Sequence, residues 1–275
     1  MSEPAGAPQG RVLVVAGSDN SGGAGIQADI KAITACGSYA MTAITAITVQ
    51  DTTGVHGVWP VPLEAVLGQM KTALRDIGAD IIKTGMLASA QLIEEVAEIL
   101  SEHAPKTGRV VDPVMVATSG DRLVERDAVE ALVSELIPRA ALVTPNAPEA
   151  EILSNKAVEN VDGQRRAAEA LMERGALGAL VKGGHVGGPM IVDVLQTHHG
   201  EWLFESPRIE TRHTHGTGCT LASAIAAHLA LGEAMPDAVD AARVYLMKAI
   251  ETAPGFGAGH GPVNHGWPLT KPRES

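Results

Sequence analysis

The sequence is poor in what a nucleic-acid, membrane or secreted protein needs. Aromatic residues are scarce, with three Trp, two Tyr and two Phe among 275 residues, which leaves little for platforms that stack on bases. A formal net charge of −11 argues against a nucleic-acid partner, whose binding usually requires a basic face. No apolar run reaches the ~18–20 residues that cross a bilayer. Residues 1–10 are rich in Pro, Gly and Ala and lack the regions of a signal peptide. The two cysteines, Cys36 and Cys219, stand far apart and make no metal-type pair, so a reducing cytoplasm is the expected compartment. The ten histidines include no HExxH pair and no Cys/His cluster, and no structural metal is expected. His198 and His199 should mark a turn before Gly200. No GxxxxGK[ST] segment occurs, so the chain has no Walker-type phosphate loop.

What is present is strand–helix alternation over nearly the whole length. Hydrophobic residues make up 45% and charged residues 19%, enough apolar material for a sizeable core. Val12 to Ala16 reads as a buried strand, followed by a Gly-rich turn and a helix from about Gly23 to Ala35. Further strands are expected at Tyr39–Val49, Asp80–Lys83, Arg109–Asp112, Ala141–Thr144 and Gly178–Lys182. Helices are expected at Leu63–Ile77, Ser89–His103, Asp127–Ile137 and Gln164–Arg174. Such alternation predicts an α/β fold of mostly parallel strands, right-handed crossovers and helices on both faces. Between Met190 and Thr211 the pattern changes. Ile191–Thr197, Glu201–Phe204 and Arg208–Glu210 read as antiparallel strands at one sheet edge. Helices return at Thr217–Leu231 and Asp237–Thr252. No linker or repeat interrupts residues 11–267, so a single domain is expected there, with tails at 1–10 and 268–275.

In an open α/β sheet, ligands bind beyond the carboxyl ends of the strands, and the motifs that carry chemistry fall at such positions. Gly17-Ser18-Asp19-Asn20-Ser21-Gly22-Gly23-Ala24-Gly25 joins the first strand to the first helix. Its glycines let backbone approach a ligand, and the helix start supplies free N–H groups. A tight structural turn is the alternative. His215-Gly216-Thr217-Gly218-Cys219 opens an Ala-rich helix. The amides of 216–219, those of Gly216, Thr217 and Gly218 included, suit an anion hole for a transferring phosphoryl group. The helix dipole should favour a thiolate at Cys219. A thiol tuned towards neutrality suits a general base that takes a proton from a primary alcohol; the alternative is a small residue packed at a helix start.

Asp112-Pro113-Val114-Met115, Thr144-Pro145-Asn146 through Glu149, and Lys182-Gly183-Gly184-His185 follow other strands. Carboxylates and an amide there suit a hydrated Mg²⁺, which takes one or two carboxylates and keeps several waters. Lys182 can neutralise nucleotide phosphates without a Walker loop. Alternatively, Asn146 and Glu149 cap the helix that follows, and Asp112 is a turn residue before Pro113.

The segments GSDNSGGAGIQADIKA, TAITVQDTTGV, KTGML, DPVM, TPNAPEAEIL, VKGGH and THGTGCT occur in this order. Together they resemble the hydroxymethylpyrimidine/phosphomethylpyrimidine kinases of thiamine synthesis. The likeness runs from about residue 11 to residue 267, and Gly259-His260-Gly261-Pro262-Val263-Asn264-His265 is similar to the family's closing segment. The resemblance implies a ribokinase-like fold, usually a homodimer. It also implies Mg²⁺-assisted phosphoryl transfer from ATP to the alcohol and then to its monophosphate. By resemblance, Gly17, Ala24, Gln50, Met86, Val114 and Cys219 line the pyrimidine pocket, while Lys182, Asn146, Glu149 and Asp112 serve Mg-ATP. Ribokinase relatives carry an Asp where Cys219 stands. Two positions depart from the familiar pattern: Asn20, where Pro is usual, and His213, near the phosphate side, where Asn is usual.

Gln50 also has a reading of its own. It ends an apolar strand region, and an aminopyrimidine edge presents an amino donor beside a ring-nitrogen acceptor. A carboxamide answers both, as Gln or Asn reads adenine; a strand-end amide bonded to backbone or water is the alternative. Met86 is flexible and apolar, fit to cover a flat ring or to fill core. Cys36 is expected in the core, and Asp29 on the first helix has no assigned role. The rival readings are a pyridoxal or pyridoxine kinase on the same scaffold and a non-catalytic regulator that binds the pyrimidine. A cysteine-nucleophile hydrolase is weaker, because no His–Asp pattern orients Cys219.

Overall fold

The unbroken apolar run Val12–Ala16 is at most 1% exposed in the computed structural model, which describes residues 8–115 and 126–269. A strand this apolar needs cover on both sheet faces. The first strand, β1 (Arg11–Asp19), sends Val12, Val14 and Ala16 to one face and Leu13 and Val15 to the other. On the first face lie α1 (Gly25–Ala35), α7 (Thr217–Ala230) and α8 (Met235–Glu251). The opposite face is covered by α2 (Leu63–Asp76), α3 (Ala90–His103), α4 (Arg126–Ala131), α5 (Ala147–Ser154) and α6 (Val161–Glu173). Helix α7 is buried continuously from Thr220 to Ala227, and its alanines let it pack closely between α1 and α8.

The other strands are β2 (Tyr39–Asp51), β3 (Gly54–Pro60), β4 (Ile81–Thr84), β5 (Gly108–Val111), β6 (Leu142–Val143), β7 (Gly178–Val181), β8 (Met190–Thr197) and β9 (Gly200–Pro207). Among the described residues they form a nine-stranded sheet ordered β3-β2-β1-β4-β5-β6-β7-β8-β9. Pairs from β2 through β7 are parallel, so the carboxyl ends of β1, β4, β5, β6 and β7 gather along one rim.

Four expectations are corrected. Antiparallel pairing occurs at both sheet edges, because β3 returns along β2 after a turn at Thr52. Its two glycines and terminal proline disguise it as loop. Arg208–Glu210 is not a strand; β9 ends at Pro207, which has no N–H to continue a ladder. Arg208 instead donates to the carbonyls of Gly184, Val186 and Gly188 and pins the loop that follows β7. The helix expected at Asp127–Ile137 is α-helical only to Ala131. It widens into a π turn at Leu132–Leu136 and ends in a 3₁₀ turn at Ile137–Arg139, where Pro138 stops it. Helix α6 begins at Val161 rather than Gln164, because Asn160 accepts from the Gly163 N–H at 2.9 Å. The expected tails at 1–10 and 268–275 fall for the most part outside the described residues.

Candidate active site

The strand-end motifs open on one cavity of about 610 Å³. The candidate catalytic, substrate, nucleotide and metal residues all line it: Gly17, Ala24, Gln50, Met86, Asp112, Val114, Asn146, Glu149, Lys182, Gly216, Thr217, Gly218 and Cys219.

Asp19 organises the first loop. Its carboxylate accepts from the N–H groups of Ser21 (2.8 Å), Gly23 (3.1 Å) and Ala24 (2.7 Å), and from Ser21 Oγ at 2.9 Å. His215 Nε2 lies 2.9 Å away and carries the shared proton, since a carboxylate only accepts. Burial works to raise the Asp19 pKa. Hydrogen bonds from His215, Gln50, Ser21 and Ala24 overcome it and hold the group well below the usual carboxylate range. Gly216, with φ +77°, fixes where α7 begins; a Cβ there would stand 1.8 Å from Gly23 O. The two glycine-rich loops therefore meet backbone to backbone.

Lys182 occupies the middle of the rim. Its Nζ is 3.3 Å from Asp112 Oδ1, which also accepts from Thr144 Oγ1 at 3.1 Å. A Cβ on Gly218 would lie 3.4 Å from that Nζ, so the ammonium stands against the first turn of α7. Burial works against the Lys182 charge, but Asp112 and Glu149 outweigh it and raise its pKa. The backbone after Lys182 is fixed as well: Gly183 N–H donates to Asp193 Oδ1 (2.7 Å), and Arg243 holds Asp193 Oδ2 (2.8 Å).

Asn146 and Glu149 form a reciprocal capping box, with Glu149 N–H donating to Asn146 Oδ1 (2.9 Å) and Asn146 N–H to Glu149 Oε2 (2.8 Å). Capping and cavity lining thus coexist. Burial pushes the Glu149 carboxyl up to about 7, against the pull of Lys182. Lys83 is fully buried, 3.1 Å from Asp29 Oδ1 and 4.0 Å from Asp112 Oδ2. Ser223 donates to the same Asp29 oxygen at 2.6 Å. Asp29 is therefore the counter-ion of Lys83. Asp112 Oδ2, with the Lys83 ammonium 4.0 Å away, is buried without a hydrogen-bond partner among the described residues.

The expected acidity of Cys219 is overturned. Burial pushes the thiol up to about 12; Lys83 and the Gly25 N–H pull it down, and Asp29 and Asp112 push it up again. The helix start does not outweigh desolvation in a site this enclosed.

Gln50 is held by its neighbours: Asn20 Oδ1 accepts the Gln50 N–H at 2.8 Å, and the Gln50 side chain bonds Asp19. The first unusual residue, Asn20, thereby fixes the backbone at the β2 irregularity between Val49 and Gln50. The second, His213, does not line the cavity. Its ring packs on Gly261, with Nδ1 buried and unpartnered. The closing segment crosses nearby, His215 N–H donating to Gly261 O at 3.1 Å and His260 N–H to Thr52 O at 2.7 Å. Met86 lies against Gly17, where a Cβ would stand 2.5 Å from Met86 Cε.

Sequence reasoning missed the structural roles of Asp19, His215 and Lys83, although each lies inside a quoted motif. It also missed part of the cavity lining, to which Ile191, Ile209, Leu246, Met247 and Ile250 contribute apolar side chains and Arg208 and Arg243 charged ones. These residues carry no motif; α8 reads simply as amphipathic.

A mostly parallel sheet, a glycine-opened helix start and a lysine–carboxylate pair at one rim define a ribokinase-like small-molecule kinase. The pattern of the phosphomethylpyrimidine kinase family matches residues 19–264. The chain belongs to that family. It is 48% identical to the hydroxymethylpyrimidine/phosphomethylpyrimidine kinase of Streptomyces coelicolor over 94% of this chain and 95% of that one. Its structure superposes on Staphylococcus aureus pyridoxal kinase in complex with AMP-PCP and pyridoxal with a TM-score of 0.85, at 33% identity, covering 94% of each chain. Phosphomethylpyrimidine kinase from Clostridium difficile gives 0.78 at 40% identity, covering 87% of this chain and 99% of that chain.

Proposed function

We propose that the protein transfers the γ-phosphoryl group of ATP to hydroxymethylpyrimidine and then to its monophosphate, supplying the diphosphate for thiamine synthesis. The observation that carries this reading is the convergence of the candidate site residues from every motif on one cavity lined by both polar and apolar side chains. In it, Gln50, Gly17, Ala24, Met86, Val114 and Cys219 surround the pyrimidine. The apolar side chains of Ile191, Ile209, Leu246, Met247 and Ile250 take the nucleotide base.

The ATP triphosphate runs past Asn146 and Thr217 to Lys182, whose charge and position against α7 offset the phosphates. The amides of 216–219 face the transferring group, where fixed donors are most effective. The Asp112 oxygen that lacks a hydrogen bond and the buried carboxyl of Glu149 fit a hydrated Mg²⁺, which Asp112 and Glu149 would hold and which would neutralise phosphate charge. Cys219 Sγ accepts the hydrogen bond of the substrate hydroxyl and orients it; a thiol raised by burial is protonated and does not take the proton, which passes late to an oxygen of the transferred phosphoryl group. A loose transition state asks little of a base.

The exposed apolar strip Ile47, Val49 and Trp59 on β2 and β3 supports a homodimer, and two unpaired cysteines support a reducing cytoplasmic setting.

Mass analysis of products from hydroxymethylpyrimidine and from pyridoxal, each with ATP and Mg²⁺, tests the assignment. Pyrimidine monophosphate followed by diphosphate is expected. Pyridoxal phosphate alone, with the pyrimidine untouched, transfers the assignment to the pyridoxal branch, and binding without turnover makes the protein a sensor.

A further inference from the structure

Arg109 is the second residue of β5, at the end of the sheet opposite the cavity. It is only 3% exposed, and its Nη1 is buried without a hydrogen-bond partner. No described carboxylate pairs with it. Its side chain points to the face that carries α3, alternating with Val110 on the other face. The end of α3 is adjacent in sequence, yet none of its carbonyls accepts from the guanidinium. Arg139 lies close by, because Ala141, two residues further on, donates its N–H to Arg109 O at 2.9 Å, and the repulsion of this second guanidinium adds to burial in lowering the Arg109 pKa. Arg139 is exposed and bonds Ser101 Oγ.

A buried cation without a counter-ion is costly, and two like charges side by side raise that cost. A bound anion removes both penalties. Guanidinium forks match the oxygens of phosphate better than any other common ligand.

We propose that Arg109 and Arg139, with Ser101, form an oxyanion-binding site for phosphate or a phosphomonoester, remote from the catalytic cavity. The site takes a tetrahedral oxyanion between the two guanidiniums; Ser101, whose hydroxyl donates to Ala97 O at 2.6 Å, accepts from Arg139 and positions it. Three residues along β5, the chain reaches Asp112 in the cavity. An anion that firms the start of this strand therefore acts on the element that positions Asp112.

The test uses the full chain with its cavity saturated by AMP-PCP and hydroxymethylpyrimidine, so that added anions find the catalytic site filled. Thermal unfolding and titration calorimetry are run with inorganic phosphate, with glycerol phosphate, and with chloride at matched ionic strength. The wild type should be stabilised by phosphate or by the ester but not by chloride, and the tighter of the two names the source of the natural ligand. Arg139→Ala, an exposed change that leaves the fold intact, should weaken binding by roughly tenfold or more. Arg109→Met should unfold at higher temperature than wild type without phosphate, because it removes an unpaired buried charge, and should lose the response. Equal responses in wild type and Arg139→Ala, or no response to either anion in wild type, overturn the proposal. The site is distant from the kinase cavity, so this failure leaves the kinase assignment standing.

Discussion

Asp19 and Asp112 end or follow strands of the same sheet, are each 2% exposed, and line the same cavity, yet they are partnered in opposite ways. Asp19 is saturated by backbone, hydroxyl, amide and imidazole donors. Asp112 has one oxygen shared by Lys182 and Thr144 and another that is buried with no hydrogen bond, only the Lys83 ammonium 4.0 Å away. A saturated carboxylate has finished its work once the loop is folded. An under-partnered one is held open for a ligand, because a buried oxygen left bare costs stability that only binding can return. Partnering, more than burial or position, separates the organising residue from the working one.

Substitution should split the two. Asp112→Asn should cost about 10²–10³-fold in kcat, the range seen when a fixed electrostatic partner of a transition state is lost, while the melting temperature stays near wild type. Asp19→Asn should do the reverse in kind. Its new amide hydrogens would face the donors of Gly23, Ala24 and His215, costing about 2–3 kcal/mol of stability. Activity would fall only as the first loop loosens. Urea unfolding beside steady-state kinetics on both variants decides the matter; matching losses of stability and rate in the two would erase the distinction. Since the folded Asp19 pKa lies below its unfolded value, its stabilisation is present above about pH 4 and fades below it. The stability gap between wild type and Asp19→Asn should narrow in acid.

Glu149 sharpens the comparison from the other side. Its folded pKa, pushed up to about 7 by burial, lies above the unfolded value. Between about pH 4.5 and about pH 7 the native state therefore binds the extra proton, and stability falls as pH rises through that window. Glu149→Gln should flatten this slope, seen as convergence of the melting temperatures measured at the two ends of the window. Added Mg-ATP should flatten it in wild type too, by favouring the ionised form. A wild-type curve that rises across the window would mean Glu149 is already ionised and paired.

Most of the sheet was legible because its strands are apolar runs separated by amphipathic helices, a signal carried by each segment alone. β3 was not, since Gly54, Gly57 and Pro60 mark loops locally and the strand exists only through pairing with β2. The site residues were legible for a similar reason: parallel strands deliver their ends to one rim, so motifs at those ends must meet. What no local pattern carries is partnering. Asp29 acquires its role from Lys83, fifty-four positions away in sequence, and the Cys219 thiol takes its pKa from enclosure rather than from the helix it starts. Asn20 looked like a departure, and its use appears only when the Gln50 N–H is found on its side chain.

Gln50 gives the smallest of the expected effects and the finest test, because it belongs to both regimes. One amide donor is committed to Asp19, which fixes the side chain's orientation. On the proposed assignment, the carbonyl oxygen and the second N–H remain for the ring's amino group and nitrogen. Gln50→Leu should remove both ligand bonds, lowering kcat/KM for the pyrimidine by about tenfold to a hundredfold, or roughly 1–3 kcal/mol. Stability should change little, since Asp19 keeps its backbone donors and His215. The KM for ATP should hold, because the nucleotide meets the pyrimidine only at the transferring phosphoryl group. Gln50→Glu separates the two duties: it keeps the size but sets a second carboxylate against Asp19, and should lose stability where leucine does not. If leucine instead raises the KM for ATP and leaves pyrimidine selectivity intact, the two ends of the cavity have been assigned the wrong way round.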